Sequence, residues 1–235
     1  MYLSRLILKP RSRRVQRELA DPYEMHRTLL NAFPNGKIHV ERKDDDAVGL
    51  LFRLDEDPRQ GLISVLVQSK TAPDWGFLAG KADGRGQPYL LPPEQMPDDK
   101  PNPAVTEFDL ASKLRPGQTL AFRLRANPTK RLGKDAGEHH HQRVGLLKEE
   151  EQLNWLKRKI EAAGGALLSA RISGEAELRG KLFTEKDVAR RMRFVSAQFD
   201  GILQVVDADK MHAAIANGIG SAKGFGFGML SLAPA

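Results

Sequence analysis

The residues best suited to chemistry in this sequence are a tyrosine and a histidine near its N-terminus. Tyr23 and His26 are three positions apart, so on a helix they lie about 60° apart around the axis and share one flank. Histidine donates or accepts a proton near neutral pH, because its unperturbed pKa is about 6.5. The pair is therefore a candidate for acid–base chemistry. Periodicity alone favours another interpretation, in which both side chains are half-buried and only pack.

A second candidate is a glycine-rich segment near the C-terminus, with five glycines in the eleven residues from Gly218 to Gly228. Glycines let a backbone approach a ligand closely, and successive N–H groups can form a nest that binds phosphate. Lys223 would add a full positive charge. Nucleotide-binding motifs do not fit, because Lys223 stands where a third glycine is needed and the predicted order is helix, loop, strand. A flexible turn packed tightly against a sheet remains an alternative.

Cationic side chains form a third group of candidates. Two alternate along a predicted strand, two follow it in a basic loop, and three are consecutive on the next predicted helix; they are Arg123, Arg125, Lys130, Arg131, Lys157, Arg158 and Lys159. Together they are a plausible phosphate track. For the helical cations an ordinary solvated face is an equal alternative, because several glutamates are close in sequence. Arg190, Arg191 and Arg193 could extend the same surface.

Three consecutive histidines, His139–His141, suggest a metal site, but their arrangement argues against one. Adjacent side chains in a loop do not readily converge on one ion, and the nearby oxygen ligands are limited to Asp135 and Glu138. We therefore expect no metal and no other cofactor. The sequence also lacks the elbow motif of serine hydrolases and an amphipathic basic helix of the membrane-surface type.

The composition is that of a globular protein with an anionic partner. The chain has 235 residues, of which 40% are hydrophobic, and a formal net charge of +7. Such a charge attracts nucleic acid and anionic membranes alike, so it does not decide between them. The absence of cysteine excludes disulfides and thiolate nucleophiles and is compatible with the cytoplasm. No signal peptide or membrane span is predicted.

The elements that must position these residues follow from periodicity and turn signals. In the first half, a strand is predicted at residues 3–8, a basic loop at 11–17 and a helix at 22–33. A hairpin of two strands is predicted at 48–54 and 62–69, and a long loop at 80–103. Asp21 and Pro22 predict the start of the helix that carries Tyr23 and His26.

The second half predicts a similar series of elements. Helices are predicted at residues 150–163 and 208–217, and a basic loop at 130–143. Strands are predicted at residues 118–125, 166–172, 192–199, 202–206 and 229–232. Asp200-Gly201 predicts a hairpin turn between two of the strands. Asp207 predicts the cap of the last helix, and Gly218 predicts its end.

Each half thus begins strand, helix, strand, strand, and the second half adds a helix and a strand. This order is typical of the split-βαβ, ferredoxin-like unit that RNA-recognition modules also use. We therefore predict an α+β protein of two tandem ferredoxin-like, RRM-like domains with antiparallel sheets. The first, at residues 1–103, carries the helix with Tyr23 and His26. The second, at residues 104–235, carries the basic surface and the glycine-rich loop.

The glycine-rich segment also resembles a family signature. GIGSAKGFGFGMLSLAP, at residues 218–234, looks like the C-terminal signature of the CasE family of the RAMP superfamily. Three further segments resemble family segments in the expected order: ADPYEMHRTL at 20–29, TAPDW at 71–75 and FRLRANPTKR at 122–131. The resemblance spans nearly the whole chain, apart from residues 35–48 and 80–102.

The resemblance implies a metal-independent endoribonuclease that cuts CRISPR repeat RNA. It assigns acid–base chemistry to His26, and to Tyr23 the positioning of the scissile phosphate or the 2′-OH. Attack by the 2′-OH would leave a 2′,3′-cyclic phosphate and a 5′-OH. The RNA-binding residues expected are Arg123, Arg125, Lys130, Arg131, Arg158, Lys223, Gly224 and Gly226.

The implied partners are the repeat hairpin RNA, retained after cutting as mature guide RNA, and the other subunits of a type I-E surveillance complex. The alternatives are a noncatalytic RAMP-type RNA-binding subunit and a general RNA-binding protein. The first alternative predicts tight binding without cleavage. The second predicts similar affinity for unrelated hairpins.

Overall fold

The computed structural model describes residues 1–33, 48–79, 87–109, 113–133, 142–183 and 189–235, without the side chains of 175–193. The chain divides into two compact units. The first unit comprises Met1–Asp109 together with Gly224–Gly226, and the second comprises Leu110–Lys223 together with Phe227–Ala235. Each unit contains a four-stranded antiparallel sheet and α-helices. The predicted α+β class of two ferredoxin-like halves is thereby confirmed, and the division at residues 103 and 104 stays a proposal.

The first unit is built on a sheet with the strand order β2-β3-β1-β4. Its elements are β1 Tyr2–Leu8, α1 Arg13–Ala20, α2 Pro22–Leu30, β2 Leu51–Asp57, β3 Leu62–Ser69 and β4 Ala104–Glu107. Between β3 and β4 the described residues form short 3-10 helices at Gly76–Leu78 and Pro93–Gln95. The described part of the predicted long loop is therefore mostly irregular, and the sequence did not predict β4.

Helix α2 starts where the sequence predicts it to start. The Asp21 carboxylate accepts a hydrogen bond from the backbone N–H of Tyr23 at 3.2 Å, and Pro22 occupies the first turn. Met25 and Leu29 are completely buried in the core of the first unit. The helix ends at Leu30 instead of Phe33, and turns continue the chain to a buried Phe33. Burial of this apolar stripe fixes which flank carries Tyr23 and His26.

The basic loop predicted at residues 11–17 is wrong, because Arg13–Ala20 forms helix α1. Val15 is completely buried, and Glu18 is only 2% exposed despite its charge. Four arginines lie close to Val15 and Glu18 in the sequence, so the sequence shows no apolar stripe of helical period. Tertiary contacts, including those of a buried carboxylate, stabilise a helix that local pattern does not indicate.

The second unit repeats the topology of the first, with the strand order β10-β5-β9-β8. Its elements are β5 Thr119–Ala126, β6 Thr129–Arg131, β7 Arg143–Gly145, α3 Glu149–Ala162, β8 Gly165–Phe183, β9 Ala189–Val205, α4 Ala208–Asn217 and β10 Leu230–Pro234. Leu156 and Ile160 of α3 and Met211 of α4 are completely buried, in one core with Leu124 and Phe199 of the sheet.

The basic loop predicted at residues 130–143 is wrong at both ends, because they pair as the short strands β6 and β7. His139–His141 lie outside the described residues, as do the side chains of Arg190, Arg191 and Arg193.

The predicted hairpin turn at Asp200-Gly201 is wrong, because β9 runs through it without a break. Asp200 pairs with Arg123 on one side and Arg171 on the other. A Cβ on Gly201 would lie 2.1 Å from the carbonyl oxygen of Ser169. This glycine therefore permits close approach of a neighbouring backbone, the other common reason for glycine inside a strand.

Candidate active site

Tyr23 and His26 belong to a row of four aromatic rings in the first unit. Their ring centroids are 6.5 Å apart, and the planes differ by 29°. Phe225, at the tip of the glycine-rich loop, stacks on Tyr23 at 5.7 Å, and Phe52 of β2 stacks on His26 at 6.2 Å. The row runs Phe225, Tyr23, His26, Phe52. The flank of α2 that the sequence selects is thus packed between a strand and the loop tip.

The imidazole of His26 is more buried than the sequence predicts, with 5% of the residue exposed. Gly224 lies against it: a Cβ added to Gly224 would be 3.5 Å from His26 Cδ2 and 3.6 Å from Nε2. The structure therefore brings together Tyr23, His26, Gly224 and Gly226, residues from opposite ends of the sequence.

Gly226 has two reasons to be a glycine. Its φ is +79°, in the left-handed region that other residues avoid. An added Cβ would also lie 3.0 Å from Cε2 of Phe52, the ring that backs His26. A side chain at this position would displace either the loop tip or the ring behind the histidine.

The base of the same loop lies in the second unit and is tied to β5. The N–H of Gly228 donates to the carbonyl oxygen of Arg125, and its own carbonyl oxygen accepts from the N–H of Ile219, both at 2.8 Å. Lys223 lies beside Gly228, whose added Cβ would be 3.4 Å from Lys223 Cγ. Backbone hydrogen bonds thus hold the end of the loop on the strand that carries Arg123 and Arg125.

Arg123 and Arg125 lie on the sheet face opposite the buried leucines of β5. Arg123 Nε is 2.6 Å from Asp200 Oδ1, while Arg125 Nε donates to Ser196 Oγ at 3.1 Å. The guanidinium of Arg125 also lies 5.8 Å from the ring centroid of Phe227. Protein partners therefore orient both arginines.

The partner of Arg123 has a perturbed pKa. Burial raises the pKa of Asp200, but hydrogen bonds from Arg123, Ser173 and Gln198, with the charge of Arg123, outweigh it and leave the pKa below its ordinary value. Asp200 therefore remains a carboxylate and offsets part of the positive charge on this face.

The remaining cations lie near α3. Lys130 Nζ is 2.8 Å from Glu151 Oε1, with both side chains substantially exposed. The hydrogen bond from Lys130 lowers the pKa of Glu151, so the pair is ionic. Arg131 and Arg158 are exposed. The structure thus joins the strand that carries Lys130 and Arg131 to the helix that carries Arg158.

The described part of the chain was compared with the requirements of a metal site and of a membrane-spanning helix. There, no three histidine, aspartate or glutamate side chains are grouped closely enough to hold a metal ion. No helix in the same ranges has the length and apolar character that a membrane crossing requires.

The two phenylalanines that enclose the Tyr23–His26 pair were not predicted from the sequence. Phe225 stands between two glycines, and a large apolar ring inside a glycine-rich segment was the available signal. Phe52 gave no such signal, since a phenylalanine inside an apolar strand is an ordinary core residue.

Comparison with known proteins finds matches over almost the whole chain. A model of that family, described as CRISPR associated protein, matches residues 1–234. The chain is 35% identical to the CRISPR-associated endoribonuclease Cse3 of Thermus thermophilus, with 100% of both chains covered. It is 30% identical to the CRISPR system Cascade subunit CasE of Escherichia coli, again over 100% of both chains.

Solved structures also match over the full length of the chain. A structure of the CRISPR endoribonuclease Cse3 bound to 19 nt RNA matches with a TM-score of 0.76 and 34% identity over 100% of both chains. A chain of a CRISPR RNA-guided surveillance complex matches with a TM-score of 0.66 and 27% identity, also over 100% of both chains.

Proposed function

Because the chain belongs to the family of CRISPR-associated proteins, we propose that it is an endoribonuclease that cuts CRISPR repeat RNA without a metal ion. A full-length relative at 35% identity is named a CRISPR-associated endoribonuclease, which supports the reaction class. The observation that carries the mechanism is the aromatic row, which fixes Tyr23 and His26 side by side against the tip of the glycine-rich loop.

The reaction uses a nucleophile that RNA already contains. The 2′-oxygen forms a bond to the adjacent phosphorus as the bond to the leaving 5′-oxygen breaks, giving a 2′,3′-cyclic phosphate and a 5′-OH. His26 transfers a proton, either from the 2′-OH or to the leaving oxygen, because imidazole exchanges protons near neutral pH. The phenolic O–H of Tyr23 donates a hydrogen bond to the scissile phosphate or contacts the 2′-OH.

Negative charge accumulates on the phosphate in the transition state, and donors aimed at it speed the reaction. The backbone N–H groups around Gly224 and Gly226 and the ammonium of Lys223 are the proposed donors. Since His26 is only 5% exposed, we expect RNA to shift part of this segment as it reaches the imidazole.

Binding is assigned to the cations of the second unit. Arg123, Arg125, Lys130, Arg131 and Arg158 contact phosphates of the repeat hairpin, because an A-form duplex is recognised mainly through its shape and backbone. The chain retains the mature guide RNA. It joins the other subunits of a type I-E surveillance complex in the cytoplasm, as its similarity to a Cascade subunit supports.

The test is cleavage of repeat hairpin RNA by the purified chain in EDTA, beside the same RNA with a 2′-deoxy nucleotide before the cut. We expect cleavage of the first RNA, no cleavage of the second, and a product ending in a cyclic phosphate. Cleavage of the deoxy substrate, or dependence on an added divalent cation, would contradict the mechanism.

The same experiment, with binding measured beside cleavage, also tests the two alternative functions. Tight binding of the repeat hairpin without cleavage would indicate the noncatalytic RNA-binding subunit. Equal affinity for unrelated hairpins in competition would indicate a general RNA-binding protein.

A further inference from the structure

A buried polar cluster joins α1 to the side of α2 that faces away from His26. Its carboxylate, Glu18, is 2% exposed, while Thr28 is 6% and Tyr89 1% exposed. The hydroxyl of Thr28 donates to Glu18 Oε1 at 2.7 Å, and the phenol of Tyr89 donates to Oε2 at 2.6 Å. Both oxygens of a charged group inside the protein are therefore occupied by donors from other elements.

Arg14 completes the cluster. Its Nε is 2.9 Å from Glu18 Oε1, and its Nη2 donates to Thr28 Oγ1 at 3.1 Å. The guanidinium also lies 4.9 Å from the ring centroid of Tyr89. Burial, and then the charge of Glu18, raise the pKa of Tyr89 above its ordinary value, so its hydroxyl keeps the proton that it donates.

Tyr89 connects the cluster to the sheet. The backbone N–H of Lys9 donates to its carbonyl oxygen at 2.9 Å, and the next residue, Leu90, forms a bridge with Leu8 at the end of β1. Thr28 is therefore connected, through Glu18 and Tyr89, to the end of β1, one of the two inner strands of the first unit's sheet.

Thr28 follows His26 by two positions, about 200° around the helix axis, so its contacts act on the opposite side of α2. We propose that Glu18 is a positioning residue, which through Thr28 sets the rotation of α2 and so the direction in which Tyr23 and His26 face. This inference rests on the proposed function. A ring about 6 Å from the axis moves about 1 Å when a helix turns by about 10°, and a displacement of that size can lower a rate about 100-fold.

The test uses Thr28, because removing Glu18 would leave Arg14 and Tyr89 without their partner and endanger folding. Thr28→Val keeps the shape and removes the hydroxyl, whereas Thr28→Ser keeps the hydroxyl. Tyr89→Phe removes the second donor and keeps the ring. Ser4→Ala is the control, since it removes another buried hydrogen bond of the first unit, the one from the Trp75 indole.

Three quantities are measured for each variant: the single-turnover rate at saturating protein, the Kd for repeat hairpin RNA, and the NMR shifts of the His26 imidazole. We expect Thr28→Val to lower the rate about 10- to 100-fold with Kd changed less than about 3-fold. Thr28→Ser keeps the wild-type rate, and Tyr89→Phe gives a rate between those of the wild type and Thr28→Val. The His26 resonances shift in Thr28→Val and Tyr89→Phe but not in Ser4→Ala.

A folded Thr28→Val variant with unchanged rate and resonances would overturn the proposal. So would a rate that falls only in proportion to the unfolded fraction, or that falls equally in Ser4→Ala. If Thr28→Val does not fold, Tyr89→Phe decides by the same criteria. If the wild-type chain does not cut RNA, the proposed function fails, while the His26 resonances still report whether the cluster orients α2.

Discussion

The aromatic row around His26 and the cationic face, which here means Arg123 and Arg125 of β5 with Lys130 of β6, meet opposite requirements. In the first unit, Tyr23 and His26 are stacked among rings and enclosed by loop and strand. In the second unit, Arg123 and Lys130 are about half exposed and paired with carboxylates that neutralise part of their charge. A proton-transfer group must be fixed within a fraction of an ångström, whereas a phosphate contact needs only charge within reach.

This contrast predicts a separation of effects. Changes in the aromatic row should alter the rate of cutting and leave affinity nearly unchanged. Changes on the cationic face should alter affinity and its salt dependence, and leave the rate at saturation nearly unchanged.

The largest effect is expected for His26→Ala. Loss of the acid–base group should lower the single-turnover rate about 10²- to 10⁴-fold. Binding of repeat RNA should remain within about 3-fold, because phosphate contacts dominate affinity. His212→Ala, on α4, is the control. Unchanged cutting by His26→Ala would remove the basis of the comparison.

The next effect is expected for Gly226→Ala, which should lower the rate about 10- to 100-fold by moving Phe52 or the loop tip against His26. Gly117→Ala is the matched control, since its φ is +86° and no described atom lies within 4 Å of the added Cβ. Both variants share the backbone strain, and only Gly226→Ala crowds the site. Equal rates in the two would show that crowding of Phe52 does not affect cutting.

Tyr23→Phe keeps the stacking ring and removes one hydroxyl. A lost hydrogen bond to a charged phosphate should lower the rate about 10-fold, measured at saturating protein. Tyr2→Phe, on β1, provides a control for loss of a phenol elsewhere in the first unit. A 10-fold rise in Kd with an unchanged rate would instead assign Tyr23 to binding.

Arg125→Ala and Lys130→Ala should each raise Kd a few-fold and reduce the slope of log K against log salt by about one unit. The cutting rate at saturation should not change. Lys210→Ala removes a comparable surface ion pair, with Asp207, and should change neither quantity. Titrations at several salt concentrations measure the slopes, and a constant slope would exclude these residues from the phosphate track.

The smallest effect is expected for Asp200→Asn. Loss of the partly exposed pair with Arg123 should reduce stability at neutral pH by about 0.5–1 kcal/mol. Because the folded-state pKa of Asp200 is lowered, the wild-type advantage exists above the unfolded-state pKa and disappears as pH falls through the folded value. Denaturant unfolding at falling pH tests this, and an advantage that persists at the lowest pH would contradict it.

The sequence predicted those parts of the fold that local rules control. Asp21 with Pro22 marks the start of α2, and Asp207 with Gly218 marks both ends of α4. The prediction failed where contacts between segments distant in sequence determine the local structure. Glu18 stabilises α1 through partners distant in sequence, and Gly201 accommodates a neighbouring strand instead of a turn.

The same limit applies to the candidate site. Spacing selected Tyr23 and His26, because both lie on one helix. Phe52 and Phe225 join them from 26 and 199 residues beyond His26, and no local pattern links segments so far apart. Only the fold shows that the loop tip belongs beside the histidine.

The cap of α2 also has a consequence for competition between anions. The start of a helix attracts phosphate through its unpaired N–H groups and partial positive charge. Here the Asp21 carboxylate already holds the N–H of Tyr23. A phosphate at the start of α2 would therefore meet an anion and find this backbone donor occupied. The cap leaves the phenolic hydroxyl of Tyr23, and not its backbone N–H, as the donor that this residue can offer to a phosphate.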